Sequence, residues 1–316
     1  MANRTAVTGF LLLGFSEVRE VRLVQAAPFL PVYLAALTGN LLVVAVTALD
    51  RRLRAPMYFF LGHLSVLDLC YISVTVPQSV HNSLTDNRSI SFLGCVFQLF
   101  FLLLFAFSEL YFLTAMSYDR YAAICRPLRY GVIMDRGACG KMAAASWLGG
   151  TVSAATHAAA TFSAGFGGSD NGGSMPAMLK LACVDVRANE IQLFVGTLVL
   201  ILLPLSLITV SYGSIARAVL RIKSPRVWRK ALGTCGSHLL VVTLFYGSIT
   251  AVYVWPGSSF SGTWDKFLTL FYTVVTPTLN PLIYTLRNKD MKGAVRRILG
   301  KVPPGASIQG ILSFVS

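Results

Sequence analysis

Long apolar runs alternate with short polar breaks along the whole chain. A helix needs roughly 20 mainly apolar residues to cross the hydrocarbon of a bilayer. Seven segments reach that length, about Val24–Leu49, Met57–Val80, Phe92–Ile124, Cys139–Phe162, Glu190–Leu220, Lys230–Val254 and Asp265–Leu286. The fourth is built of Ala, Gly, Ser and Thr more than of Leu or Ile. Small residues let helix backbones approach closely, so Gly149, Gly150 and the alanines around them predict a packed inner helix. Prolines fall at Pro204 in the fifth span, Pro256 at the end of the sixth, and Pro277 and Pro281 in the seventh. Each frees a carbonyl and bends its helix, as a hinge or as a fixed kink. No soluble domain and no internal repeat lies outside the spans. The pattern predicts one unit over 1–316, with a tail at 1–23, spans and loops at 24–286 and a second tail at 287–316.

Composition agrees with the pattern. Of 316 residues, 55% are hydrophobic and 13% charged, with mean hydropathy +0.65. A soluble domain carries about 25% charged residues. The net charge of +14 would point a soluble protein towards nucleic acid, but here the bases follow a topology. The loops after spans one, three and five, together with the final tail, hold 20 of the 27 Lys and Arg. Bases concentrate on the cytoplasmic side, which predicts an outer N-terminus, an inner C-terminus and no role for nucleic acid. Residues 1–23 lack the design of a signal peptide, so the first span is expected to be its own insertion signal. The sequons at Asn3 and Asn87 both fall on the predicted outer side, as glycosylation requires. The six cysteines are scattered without a Cys-x-x-Cys pair, unlike a zinc ribbon or a disulfide-dense scaffold.

Candidate chemistry is sparse. Met116–Cys125 reads Met-Ser-Tyr-Asp-Arg-Tyr-Ala-Ala-Ile-Cys, an acid beside a base where a span meets water. If exposed, the Asp119–Arg120 pair is worth about 0–1 kcal/mol, weak enough for a latch. Asp68 and Glu109 are the two acids deep inside spans, and such groups are functional hypotheses by default. They are placed to hold a cation, to share a proton, or to bond Asn40 and Asn280 in neighbouring spans; the plain alternative is a hydrogen-bonded polar core without an ion. Cys235 and His238 share a helical turn, which is too little for a metal site. No phosphate loop, nucleotide fingerprint or nucleophile–base arrangement is present, so neither enzymatic activity nor a cofactor is expected.

The ordered motifs closely resemble the rhodopsin-like G-protein-coupled receptors and, within them, the olfactory receptors. Beside Met116–Cys125, the resemblance is carried by Gly39-Asn40, Leu53-Arg-Ala-Pro-Met-Tyr-Phe-Phe-Leu61 and Pro127-Leu-Arg-Tyr130. It continues with Ser211-Tyr212, Lys230-Ala-Leu-Gly-Thr-Cys-Gly-Ser-His-Leu239, Pro277-Thr-Leu-Asn-Pro-Leu-Ile-Tyr284 and Leu286-Arg-Asn-Lys289. It implies an all-α seven-transmembrane bundle in the plasma membrane, with a short amphipathic cytoplasmic helix after span seven. A small volatile, largely apolar ligand is expected between the outer halves of spans three, five, six and seven. The implied pocket is Leu102, Leu103, Ala106 and Phe107; Thr197 and Leu200; Tyr246, Ile249, Thr250 and Tyr253; and Thr273. The implied switch is Asp119, Arg120, Tyr121, Tyr212, Asn280, Pro281 and Tyr284. In it Arg120 faces the bundle at rest, and Tyr212 reaches it in the active form. The partners implied are a stimulatory olfactory G protein, which raises cyclic AMP, and membrane lipid.

The chain departs from the family in one place. The resemblance pairs the cysteine opening span three, Cys95, with a cysteine of the second outer loop, but Gly173 stands at the expected partner position and Gly167 replaces a second cysteine. Either a substitute Cys95–Cys183 bridge or two free thiols is expected. The departure keeps a second reading open, a receptor-like protein impaired in folding or signalling. A transporter is a more distant third, since the two halves of the chain do not match.

Overall fold

The structure is a computed structural model, described over residues 9–11, 29–85, 89–165, 190–222, 224–254 and 274–300. Its main helices are α1 (Phe29–Leu49), α2 (Pro56–Thr85), α3 (Phe92–Cys125), α4 (Arg136–Gly165), α5 (Glu190–Ile222), α6 (Pro225–Val254), α7 (Thr276–Arg287) and α8 (Lys289–Leu299). Two short strands, β1 (Gly9–Leu11) and β2 (Ser89–Ser91), pair antiparallel with Phe10 opposite Ile90.

Local chemistry sets the ends. α1 stops at Asp50, whose carboxylate accepts the backbone N–H of Arg52 at 3.0 Å. α2 then opens on Pro56, where a missing N–H costs nothing. Ser91 caps α3 by accepting the Gly94 N–H at 3.1 Å. Pro127 follows the end of α3, a 3₁₀ turn (Pro127–Arg129) and a helical turn (Tyr130–Ile133) follow it, and Asp135 caps α4 through the Ala138 N–H at 2.7 Å. α2 and α6 run past the apolar limits read from the sequence, to Thr85 and back to Pro225. A helix need not end where its hydrocarbon does.

The bundle is apolar outside and polar within. Leu49, Leu148, Val152 and Val210 are exposed, whereas Asn40, Asp68, Ser108, Glu109, His238 and Asn280 are buried. Such a surface suits an apolar solvent. Among the described residues, four helices (α1, α2, α3 and α5) are long and apolar enough to cross a membrane, and α6 carries a shorter apolar stretch, Cys235–Gly247. α4 owes its lower hydropathy to its small residues, which serve packing instead. α3 runs through the middle and packs against α2, α4, α5 and α6. A Cβ at Gly150 would lie 2.9 Å from the backbone nitrogen of Ser108 and 3.0 Å from its Cα, so only glycine lets α4 meet α3 here. α8 is amphipathic and buries Met291, Ala294 and Val295, while Arg297 pairs with Asp50 at the end of α1.

Candidate functional site

Three polar constellations lie along the bundle. In the centre, α2, α3 and α7 bring Asp68, Glu109 and Asn280 together, all essentially out of reach of solvent. The Asn280 amide nitrogen donates to both Asp68 oxygens, at 3.2 and 3.0 Å, and to Glu109 Oε1 at 3.3 Å. One amide therefore serves two carboxylates. Among the described residues its own oxygen has no partner, nor do the buried hydroxyls of Ser108, Tyr246, Thr276 and Tyr284. A buried polar group left without any partner costs about 1–3 kcal/mol, so sharing one donor between two carboxylates makes Asn280 the key residue of this centre.

Asn40 does something other than bond the acids. Its amide donates to the carbonyls of Ala36 and Pro277, each at 3.0 Å. The reason lies in α7. Pro281 has no N–H to give the carbonyl four residues earlier, which is that of Pro277. Asn40 supplies the missing donor from α1. Beside it, a Cβ at Gly39 would stand 3.1 Å from Pro281 Cγ, so the glycine admits the proline ring. The Gly39-Asn40 dipeptide is thus a socket for the α7 kink.

The second constellation is the corner at the end of α3. Arg120 Nη2 lies 2.7 Å from Asp119 Oδ2, and Tyr130 donates its hydroxyl to Asp119 Oδ1 at 2.7 Å. The Asp119 side chain is fully buried and that of Arg120 only 9% exposed. The weak pair considered from the sequence for an exposed corner is therefore a buried one, with a donor on each carboxylate oxygen. The helical turn after Pro127 folds Tyr130 back over the carboxylate and takes away the water. Burial, and then the Asp119 carboxylate beside it, push the Tyr130 phenol above its usual range. Tyr121 is half-buried and stacks loosely on Tyr118, 6.1 Å between centroids.

The third links α5, α6 and α3. His238 Nε2 stands 3.0 Å from the Leu113 carbonyl, which can only accept, so this nitrogen carries the proton. His238 Nδ1 then accepts the Tyr212 hydroxyl at 2.7 Å. Tyr212, expected to reach Arg120 in the active form, is held by His238 in this structure. Both ring nitrogens of His238 are engaged, which leaves none for a metal shared with Cys235. Among the described residues, no group of three His, Cys, Asp or Glu is placed to hold a metal. Sequence reasoning assigned no role to His238 or Tyr130; each lay inside a quoted motif, but partners 125 and 11 residues away carry the meaning.

Of the expected pocket, Leu102, Ala106, Phe107, Tyr246 and Ile249 are buried, and Leu103 and Leu200 half-buried. All of these except Leu102 and Ala106 belong to one apolar cluster. Phe107 also packs on His157, 5.1 Å between ring centroids. The side chains of Thr197, Thr250 and Tyr253, and Thr273, Asn3, Asn87 and Cys183 entirely, lie outside the described residues. Cys95 is disulfide-bonded, whereas Cys70, Cys125, Cys139 and Cys235 are free.

Comparison with known proteins covers nearly all of this framework. The family described as "Olfactory receptor" matches residues 29–302. Olfactory receptor 2H1 of Homo sapiens is 45% identical over 305 residues, covering 95% of this chain and 96% of the relative. Olfactory receptor 14L1 of Homo sapiens is 48% identical over 302 residues, covering 94% and 93%. Olfactory receptor 2B6 of Mus musculus is 46% identical over 305 residues, covering 95% and 97%.

Proposed function

Since the chain belongs to the olfactory receptor family, we propose that it is a plasma-membrane receptor which converts binding of a small, largely apolar odorant into activation of a stimulatory olfactory G protein. It crosses the membrane seven times, with its N-terminus outside, Asn3 and Asn87 glycosylated, and Cys95 bridged to Cys183. The odorant sits among Leu102, Leu103, Ala106 and Phe107 of α3, Thr197 and Leu200 of α5, Tyr246, Ile249, Thr250 and Tyr253 of α6, and Thr273. The Tyr246 hydroxyl, buried without a partner, gives it a hydrogen bond. The lining is otherwise apolar, as in most small-molecule sites.

The observation that carries this reading is that α3 bears both ends of the route. Phe107 and Arg120 are 13 residues apart on one helix, about 20 Å. α6 runs beside it and carries Tyr246 and Ile249 near the odorant and His238 nearer the corner. A ligand that fits one position of α6 better than another shifts the population towards it. Moving α6 takes His238 from Leu113 and releases Tyr212, which is then free to reach Arg120. The corner, with Asp119, Tyr121 and the Asn280–Pro281–Tyr284 segment behind it, opens to the G protein. An odorant panel read by a cyclic AMP reporter tests this. Responses are expected for the parent, to be abolished in Arg120→Ala and weakened in Tyr246→Phe. An Arg120→Ala receptor that is present at the surface and signals like the parent would refute the assignment of the corner. Peptide mapping without reduction tests the bridge: Cys95 joined to any residue but Cys183 refutes it.

A further inference from the structure

A groove of about 640 Å³ lies between α1, α2 and α4, lined by none of the residues assigned to the odorant site or the switch. Its body is apolar, with Val44 and Ala48 of α1, Val66 of α2 and Met134 before α4 along it. At one end it meets Arg54 and Arg136. Both arginines are exposed, and neither has an ion pair or hydrogen bond among the described residues. The carboxylates near them in sequence are committed elsewhere. Asp50 pairs with Arg297 and accepts the Arg52 N–H, and Asp135 caps α4. The protein thus leaves two forked cations unanswered at the mouth of an apolar slot. The slot opens on the same outer surface that exposes Phe59 and Leu49, the surface read here as facing lipid.

We propose that this groove is a binding site for one anionic phospholipid, its phosphate held between Arg54 and Arg136 and an acyl chain laid along Val44, Ala48 and Val66. Guanidinium groups match phosphate oxygens in pairs, and their fork gives direction as well as charge. An uncharged lipid or a sterol would fill the slot but leave both cations unpaired. Under the proposed topology the two arginines lie on the cytoplasmic face, where anionic lipids concentrate. Only this choice of leaflet rests on that topology. Bound there, the lipid would clamp α1, α2 and α4 together at the end of the bundle that also carries α8.

The test uses full-length receptor in nanodiscs of phosphatidylcholine alone or mixed with phosphatidylserine. Lipid retained by the released protein is counted by native mass spectrometry. The parent is expected to retain phosphatidylserine over phosphatidylcholine. Arg54→Gln with Arg136→Gln should reduce that preference, roughly fivefold for each arginine. The paired lysine variant keeps the charge without the fork and should fall between. Ala48→Trp fills the slot and should lower retention of both lipids. Arg217→Gln with Arg221→Gln, exposed bases on α5, should retain the parental preference. Equal retention of the two lipids by the parent overturns the proposal. So does a preference that survives loss of both arginines, or one that falls equally in the α5 variant. The readout needs no odorant, and both leaflets of the disc carry the same lipids. A failure here therefore leaves the signalling reading and the topology untouched, and their failure leaves this site standing.

Discussion

The centre of the bundle and the corner of α3 both bury carboxylates, yet they treat them in opposite ways. At the corner, each Asp119 oxygen has its own donor, one from Arg120 and one from Tyr130. In the centre, Asp68 and Glu109 share the one amide of Asn280 among the described residues. A satisfied buried pair has one good arrangement and resists change. Two carboxylates that share one donor compete for it, and a small movement of the amide favours one over the other. Under the proposed function, the difference would separate a part that holds the resting form from a part that rearranges beneath it.

The sharpest way to break the comparison is Asp119→Ala. It leaves the Arg120 guanidinium buried without a counter-charge, which should cost about 3–5 kcal/mol in unfolding of the purified receptor. It should also raise cyclic AMP in the absence of odorant. A loss below about 1 kcal/mol would mean that the corner is as wet as an exposed pair. Next comes Asn280→Ala, which removes the one donor common to the two central acids among the described residues and should cost about 2 kcal/mol. In a Glu109→Gln background the loss should shrink, because Gln brings its own N–H; an unchanged loss would show that the acids do not compete for one amide. Smaller again is Asn40→Ala, at about 1 kcal/mol. Made after Pro281→Ala it should cost almost nothing, because the restored backbone N–H then takes the Pro277 carbonyl. Additive losses in that cycle would deny the socket.

The smallest effect belongs to the surface. The Arg52 N–H first, and Arg297 second, hold the Asp50 carboxyl below its ordinary value of 3.8. A depressed carboxylate contributes stability above its unfolded value, lost as pH falls through the lower folded one. The contact between α8 and the end of α1 should therefore loosen only in strong acid. A fluorescence distance between the two ends would follow it. Arg297→Gln should weaken the contact at neutral pH and diminish its acid response.

Much of the fold was legible because a bilayer imposes a length on apolar runs: described helices overlap each of the seven segments read that way, and four of them are long and apolar enough to cross. The buried acids were legible too, since nothing but function or pairing explains Asp68 and Glu109 in apolar surroundings. What could not be read was the direction of each hydrogen bond. Asn40 looked like a partner for the acids, yet Pro281 had already created a more demanding acceptor. The Asp119–Arg120 pair looked exposed because it ends a span; in the fold it is buried, and Tyr130 comes back to bond its carboxylate. His238 looked like half a metal site, because its true partners sit on α5 and α3. Sequence gives the periodicity of a helix, but the neighbour across the gap is a property of three dimensions.

The contact of Gly150 with Ser108 has a mechanical and a genetic consequence. At Gly150, α4 meets the side chain and the backbone of Ser108 with no room for a Cβ, which fixes how closely α3 and α4 pack; under the proposed function they would be the fixed part against which α5 and α6 move. The same contact draws a narrow line of intolerance along a permissive helix. Leu148 and Val152, two residues to either side, are 65% exposed and free to vary among apolar types. At Gly150 itself even one methyl group must push the two backbones apart. A scan of every substitution along α4 should therefore read as broad neutrality crossed by one sharp stripe.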